Sequence, residues 1–284
     1  MIQLQIGIVG AGFVGGAVRD AFKQYYKVRI FDVNPERSTD SFDDTVNCDF
    51  VFICVPTPMI SAEGGKANLN ILFGFFEKLS ITMKKNDSIY ILKSTVPVGT
   101  TRYIYNKYSI KNIVHNPEFL RAKTPLQDFM NPSRNIVGSI DEKPANQVAD
   151  LLRYMFKNVP CLMMAAEESE LVKYAANSFL ATKVLFFNEI RLLVDKLGLN
   201  WNRIVNGVTS DRRIGTSHSQ VPGEDNLKGV GGTCFPKDLN SLIVTMLDNN
   251  IDPLVLKAVW EQNKKLRENW DWATNPSAVQ GENG

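Results

Sequence analysis

Cysteine and histidine are scarce in this chain of 284 residues, with four of the first and two of the second. Cys48, Cys54, Cys161 and Cys234 form no CxxC pair, and His115 and His218 stand far apart in sequence. That scarcity argues against a secreted disulfide framework and against a zinc site. No metal is expected, and a reduced, cytoplasmic compartment is. An excess of one charge sign is also missing: a formal net charge of +2 gives no electrostatic reason to expect nucleic acid or an anionic membrane as partner. No apolar run approaches the roughly 20 residues that span a bilayer. The N-terminal MIQLQIGIVGAG has neither the basic region nor the small-residue cleavage site of an export signal.

What is present alternates. LQIGIVG (4–10), KVRIFD (27–32), DFVFICVP (49–56), SIYILKST (88–95), NIVHNPEF (112–119), NIVGS (135–139) and VPCLMM (159–164) read as strands, with helical spacing after the first, over 69–83 and near 142–157. Near-continuous apolar strands suit a parallel sheet covered on both faces, so the fold class is α/β, beginning with a Rossmann-type doubly wound sheet. From Glu167 to about Leu197 the chain has no glycine or proline, and a long helix is expected there, ending at Gly198. Helices near 201–208, 237–249 and 252–269 follow, around a glycine-rich polar loop at 210–234. The domains read as 1–165, an NAD-binding unit, then 166–270, an all-α unit, with 271–284 a polar tail expected to fray.

GAGFVG (10–15) is a GxGxxG hexapeptide, weak alone but closing a strand and opening a helix, with Asp32 at the end of the next strand. Gly10 allows the tight turn, Gly12 lets the backbone approach a pyrophosphate, and Gly15 lets helix and strand pack closely, with Phe13 and Val14 between them. Asp32 would accept from the adenosine ribose hydroxyls and repel a 2′-phosphate, which points to NAD over NADP. The plain alternative is a strand-turn-helix whose Asp32 caps the NPERS turn. CVPTP, carrying Val55, Pro56 and Thr57, and STVPVGT, carrying Thr95, follow strands at the carboxyl edge where ligands bind. Both could also be ordinary turns.

Lys173 and Asn177 are i, i+4 neighbours on the long helix and share a face. They could hold a hydroxyl or form a solvated helix edge. GGTCFPKD (231–238) sets Cys234 among glycines with Lys237 nearby. A thiolate there could attack an aldehyde to give a thiohemiacetal, whose oxidation yields a thioester. Cysteine is equally at home as a small buried hydrophobe, and spacing alone leaves both readings open.

With these stretches the chain resembles the UDP-glucose and GDP-mannose 6-dehydrogenases, NAD-dependent enzymes that oxidise a nucleotide-sugar C6 alcohol to a carboxylate. The resemblance is carried by GAGFVG, CVPTP, STVPVGT, NPEFLR (116–121), NPSRNIVG (131–138), ELVKYAANSFLATKVLFFNE (170–189), RIG (213–215) and GGTCFPKD, in the family's order. It implies Cys234 as thiol nucleophile, Asp238 as base or orienter, and Lys173 as stabiliser of the developing oxyanion. Asn177 would position the substrate, and Thr95 and Glu118 would hold a water. Glu118, Phe119, Leu120, Arg121, Arg213 and Gly231 would line the nucleotide-sugar pocket. Val55, Pro56, Thr57, Thr95 and Lys237 would join Gly10 to Gly15 and Asp32 around NAD. UDP-glucose is the expected substrate, with a role in polysaccharide biosynthesis, and the 167–197 helix is the expected homodimer element.

The pattern departs from the family in places. Ala122 stands where the family usually has a glutamate, which touches thioester hydrolysis. Ser133 replaces an aspartate, and the family's usual C-terminal domain does not follow. Two other readings stand beside the first: a one-step 3-hydroxyacid-type dehydrogenase, which needs no thiol, and a decayed protein that binds NAD or partners without turnover.

Overall fold

The computed structural model describes residues 4–84, 87–121 and 123–281. The chain divides into two compact units: residues 1–57 with 69–173, and residues 58–68 with 174–284.

Unit 1 is built on seven strands: β1 (Gln5–Val9), β2 (Lys27–Phe31), β3 (Phe50–Ile53), β4 (Ile89–Leu92), β5 (Ile113–His115), β6 (Asn135–Ser139) and β7 (Cys161–Ala165). They lie in the order β2-β1-β3-β4-β5-β6-β7. Helices α1 (Phe13–Phe22), α2 (Phe42–Val46), α3 (Asn70–Thr82), α4 (Thr100–Lys107), α5 (Pro125–Met130) and α6 (Glu142–Met155) cover both faces. Side chains alternate across the pleat. Ile6, Ile8, Phe52, Ile91 and Val114 therefore bury against α1, α5 and α6. Val9, Val51, Ile53, Leu92 and Ile113 bury against α2, α3 and α4. Strands enclosed on both sides have no polar face to show, which is why they read as continuous apolar runs.

The expected doubly wound sheet is present, with two features that the sequence reading did not include. β6 runs antiparallel to β5 while the other pairings are parallel. Strand direction depends on the route of the connection, which apolar pattern does not encode. Helices α2, α4 and α5, of 5, 8 and 6 residues, are also additional. Helices this short complete too few turns to show a period.

Helix α7 (Ala166–Lys196) gives its residues through Lys173 to unit 1 and the rest to unit 2. Unit 2 adds α8 (Trp201–Thr209), α9 (Phe235–Asp248) and α10 (Leu254–Leu266). Its main core joins Ala181 and Leu185 of α7, Leu239 and Ile243 of α9, Val259 and Trp260 of α10, and Met59, Trp272 and Ala278. Of the tail 271–284, expected to fray, the described residues are packed as far as Gly281. Trp272 is fully buried and stacks on Trp270 at 5.4 Å. Its indole N–H donates to Ala62 O at 3.0 Å, while Met59 N donates to Ala278 O at 2.7 Å. Two indoles and a paired backbone outweigh the polar composition of 271–281.

Candidate active site

In unit 1, the GxGxxG turn links β1 to α1. Gly10 has φ +88°, and a Cβ there would stand 2.7 Å from Cys54 O; a Cβ on Gly15 would stand 1.9 Å from Gly10 O. Only glycine fits either position. Gly12 caps α1 and opens on free space, so the helix start is accessible to a phosphate. Phe13 is exposed and Val14 half-buried beside it. Asp32 follows β2; its Oδ2 accepts from Ala11 N at 2.6 Å and its Oδ1 from Asn34 N at 2.8 Å. The carboxylate thus ties the glycine turn to the following turn, and each oxygen has a second lone pair for a ribose hydroxyl. The open helix start, close glycine packing and acidic strand end fit a dinucleotide. Val55, Pro56 and Thr57 follow β3, and the Thr57 hydroxyl donates to Thr95 O at 2.6 Å, joining two of the expected cofactor loops.

Lys173, near the start of α7, reaches the NPEFLR loop. Its ammonium donates to Glu118 O at 2.6 Å and to Glu118 Oε1 at 2.9 Å, with both side chains almost fully buried. Glu118 Oε2 accepts from Leu120 N at 2.6 Å. Burial pushes this carboxyl upward, but Lys173, the Leu120 N–H and Lys93 together outweigh it and hold Glu118 below the usual range. Phe119 lies near Lys173 and beneath the Arg134 guanidinium, 4.4 Å from ring centre to Cζ. Leu120 packs on the first core layer, and Arg121 pairs with Asp128 at 2.7 Å. Ala122 lies outside the described residues.

Two anchors in unit 1 were not foreseen. Glu170 accepts from Gly99 N, Thr101 N and Thr101 Oγ1 at 2.6, 2.7 and 2.6 Å, fastening the loop after Thr95 to α7. Burial nevertheless pushes its carboxyl up to about 7. His115 Nδ1 lies 2.5 Å from Ser169 Oγ, whose hydroxyl donates to Ala166 O. Burial depresses this imidazole to about 3, so it is neutral. The signal for both was slight: a histidine ending an apolar run and one glutamate among several, with partners far away in sequence.

In unit 2, Cys234 caps α9, and Asp238 N donates to Cys234 O at 2.8 Å. The positive end of that helix favours negative charge at its start. The thiol is half-buried, 3.7 Å from the Thr233 hydroxyl. One turn on, the wholly buried Asp238 accepts from Asn177 Nδ2 at 2.6 Å and pairs with the Lys237 ammonium. Lys237 is thus paired with the aspartate next to it in the chain. By contrast, Cys54 in unit 1 is desolvated and its thiol is pushed up to about 12, which makes it inert.

The glycine loop before Cys234 is held by side chains from elsewhere in unit 2. Gly229 N donates to Asn188 Oδ1 at 3.1 Å, Val230 N to Asn263 Oδ1 at 2.7 Å and Gly232 N to Asp271 Oδ2 at 2.8 Å. A Cβ on Gly231 would stand 2.1 Å from the buried Arg267 guanidinium. Arg213 is not drawn into this cluster; it is exposed and bonded to Asp211 at 2.6 Å.

The profile of the UDP-glucose/GDP-mannose dehydrogenase family's NAD binding domain matches residues 21–157, and that of its central domain matches 167–265. The UDP-glucose 6-dehydrogenase of Rickettsia bellii is 35% identical over 234 residues, which cover 78% of this chain and 51% of that protein. The structure of a UDP-glucose dehydrogenase from Pyrobaculum islandicum superposes with a TM-score of 0.82 at 28% identity, covering 93% of this chain and 68% of that one. The Mycobacterium tuberculosis 3-hydroxyisobutyrate dehydrogenase has a TM-score of 0.73 over 98% of both chains at 18% identity, a likeness of fold alone. The chain spans about half the length of the curated relatives it matches. Matched by both profiles across most of its length, with a nucleotide-binding turn built for NAD, the chain belongs to the UDP-glucose/GDP-mannose dehydrogenase family.

Proposed function

We propose that this protein oxidises the C6 alcohol of a nucleotide sugar, UDP-glucose foremost, to a carboxylate through a covalent intermediate on Cys234. The observation that carries the reading is Cys234 at the start of α9, one turn before a buried Asp238 bonded by Asn177 and Lys237. A one-step alcohol oxidation needs no thiol. NAD, when bound, takes up a hydride in each of two oxidations. Gly10, Gly12 and Gly15, with Asp32, would hold its pyrophosphate and ribose, and Val55, Pro56, Thr57 and Thr95 its nicotinamide end.

The buried Lys173 ammonium would favour negative charge on the reacting oxygen, where desolvation strengthens its field. Glu118, held ionised by Lys173, can accept a proton or orient a water with Thr95. The Cys234 sulfur would add to the aldehyde carbon as a thiohemiacetal. Its oxidised form, a thioester, is opened by water to release the carboxylate and regenerate the thiol. Asn177 and Asp238 would orient the substrate hydroxyl and accept the proton, and Phe119, Leu120, Arg121, Arg213 and Gly231 would contact the nucleotide sugar.

The same proposal assigns residues 1–165 to cofactor binding and 166–270 to substrate binding, in a cytoplasmic homodimer. Exposed Phe179, Phe186 and Leu193 on α7 support self-association through that helix. The test is NADH yield per sugar with UDP-glucose and, separately, GDP-mannose. Two NADH per uronate formed are expected. One NADH with an aldehyde product would favour the 3-hydroxyacid-type chemistry, and none from folded, NAD-bound protein would favour a binding protein without turnover.

A further inference from the structure

The sheet of unit 1 ends on β2 at one side and β7 at the other, and the two edges are finished differently. The β2 edge is covered. Ile30 N donates to Asp40 Oδ2 at 3.2 Å, and Ile30 O accepts from Thr39 N and Asp40 N at 3.0 Å each. Lys27 and Arg29 add charge along the same strand. A covering segment and charged side chains are what keep a sheet edge from pairing with another chain.

Strand β7 has neither. It reads CLMMA, without a charge or a proline. It runs parallel to β6 with Asn135 opposite Cys161, and Asn135 N donates to Pro160 O at 2.8 Å. In a parallel ladder a residue bonds to the two neighbours of the one opposite it. Pro160, Leu162 and Met164 therefore turn their main chain to β6, and Cys161 and Met163 turn theirs outward. Among the described residues, no hydrogen bond outside the ladder reaches either main chain. The outward array stops at Ala165, whose N–H donates to Glu168 Oε2 at 2.8 Å. Leu162 and Met163 are 46% and 40% exposed and point to opposite faces.

Two donors and two acceptors with one residue between them complement a copy of themselves. Turned about a two-fold axis through Leu162, a second β7 runs antiparallel and sets Cys161 opposite Met163 of the second copy. Both such pairs exchange N–H···O bonds, so every outward group on both strands is satisfied. Leu162 then stands opposite its own counterpart in a non-hydrogen-bonded pair, where side chains come closest. We propose that β7 is a docking edge for a second copy of this chain, paired antiparallel about Leu162 into one continuous sheet. The contact is short against a standard interface, so association is weak and concentration-dependent. It is separate from the α7 surface and requires no turnover, so it stands or falls apart from the proposed reaction. Copies joined through both surfaces build assemblies beyond a dimer.

The test is sedimentation equilibrium of the full chain over a range of concentrations, with Phe186→Glu present throughout to disable the α7 surface. A reversible monomer–dimer equilibrium is expected. Leu162→Lys sets two ammoniums opposite each other. Met163→Pro removes an outward N–H from each copy and leaves the ladder to β6 intact. Each should weaken dimerisation at least about tenfold, and Leu162→Ile should keep it. Should Met163→Pro fail to fold, Leu162→Lys decides, because that side chain is exposed. Leu162→Cys reads the register: Cα atoms about 4.5 Å apart lie within disulfide reach, so mild oxidation should give a covalent dimer linked at position 162. A monomer at every concentration, dimerisation unchanged by the β7 variants, or no link at position 162 overturns the proposal.

Discussion

The two units differ in what holds them. In unit 1, strands pair through apolar alternation, and Phe52 on one face and Ile53 on the other bury because helices cover both sides. Its buried charged and imidazole contacts gather at the carboxyl edge, as Lys173 with Glu118, His115 with Ser169, and Glu170 with the start of α4. In unit 2 the polar groups are the framework. Asn188, Asn263, Arg267 and Asp271 fasten a glycine loop that has few side chains of its own to pack. Regular structure satisfies its own backbone, so unit 1 can place a few charges at one edge. A loop cannot, so unit 2 draws donors and acceptors from distant stretches to fix the backbone that leads to Cys234.

That contrast can be broken at several points. The largest effect is expected at Cys234. In Cys234→Ala, carboxylate formation should fall below detection while NAD affinity is unchanged, read by product analysis and calorimetry. Full uronate production by the variant would remove the thiol from the mechanism.

Trp272→Ala tests whether the segment after α10 is part of the core of unit 2. A fully buried indole replaced by alanine costs about 3–5 kcal/mol, against a few tenths for a frayed tail. Urea denaturation measures it, and a change within error would contradict the packing.

His115 offers a pH test in unit 1. Its folded value of about 3 lies below the ordinary 6.5, so the unfolded chain binds a proton that the folded chain refuses. Stability is unaffected above pH 6.5 and falls as pH drops from 6.5 toward 3, by up to about 1.4 kcal/mol per unit. Glu170, raised to about 7 from 4.5, acts oppositely: its contribution is full below pH 4.5 and is lost as pH rises from 4.5 to about 7. Comparing the protein with His115→Asn isolates the histidine: the gap in acid sensitivity should widen steadily below pH 6.5. Parallel pH profiles would mean that the imidazole is protonated in the fold.

The smallest effect concerns Asp32. The carboxylate should repel a 2′-phosphate, so NAD should be preferred over NADP by at least about tenfold, roughly 1.4 kcal/mol. Asp32→Ala should narrow that preference, as measured by calorimetry with both cofactors. Equal binding by the unmutated protein would leave the residue only its turn-capping bonds to Ala11 and Asn34.

Much of unit 1 was legible because its signals are local. A strand shows its burial as an apolar run, and the glycine turn with Asp32 needs only the neighbouring strand and helix to be read. The long helix was legible for the same reason, and with it Lys173 and Asn177. Helices α2, α4 and α5 were not, since they are too short to repeat. The partners of the site residues were also hidden. Nothing near Glu170 in sequence points to Gly99, and nothing near Gly232 points to Asp271.

The amino-acid sequence by itself determined the α/β class, the nucleotide-binding turn, the long helix and the residue types able to do chemistry. These depend on period, on glycine's conformational freedom and on side-chain identity, all properties of short stretches. Tertiary structure alone decided that Lys173 meets Glu118, that Asn177 meets Asp238, that β6 reverses against β5 and that Trp272 packs beneath Ala62. Each of those is a contact between stretches distant in the chain. Its energy comes from desolvation and charge pairing that exist only once the chain has folded around them.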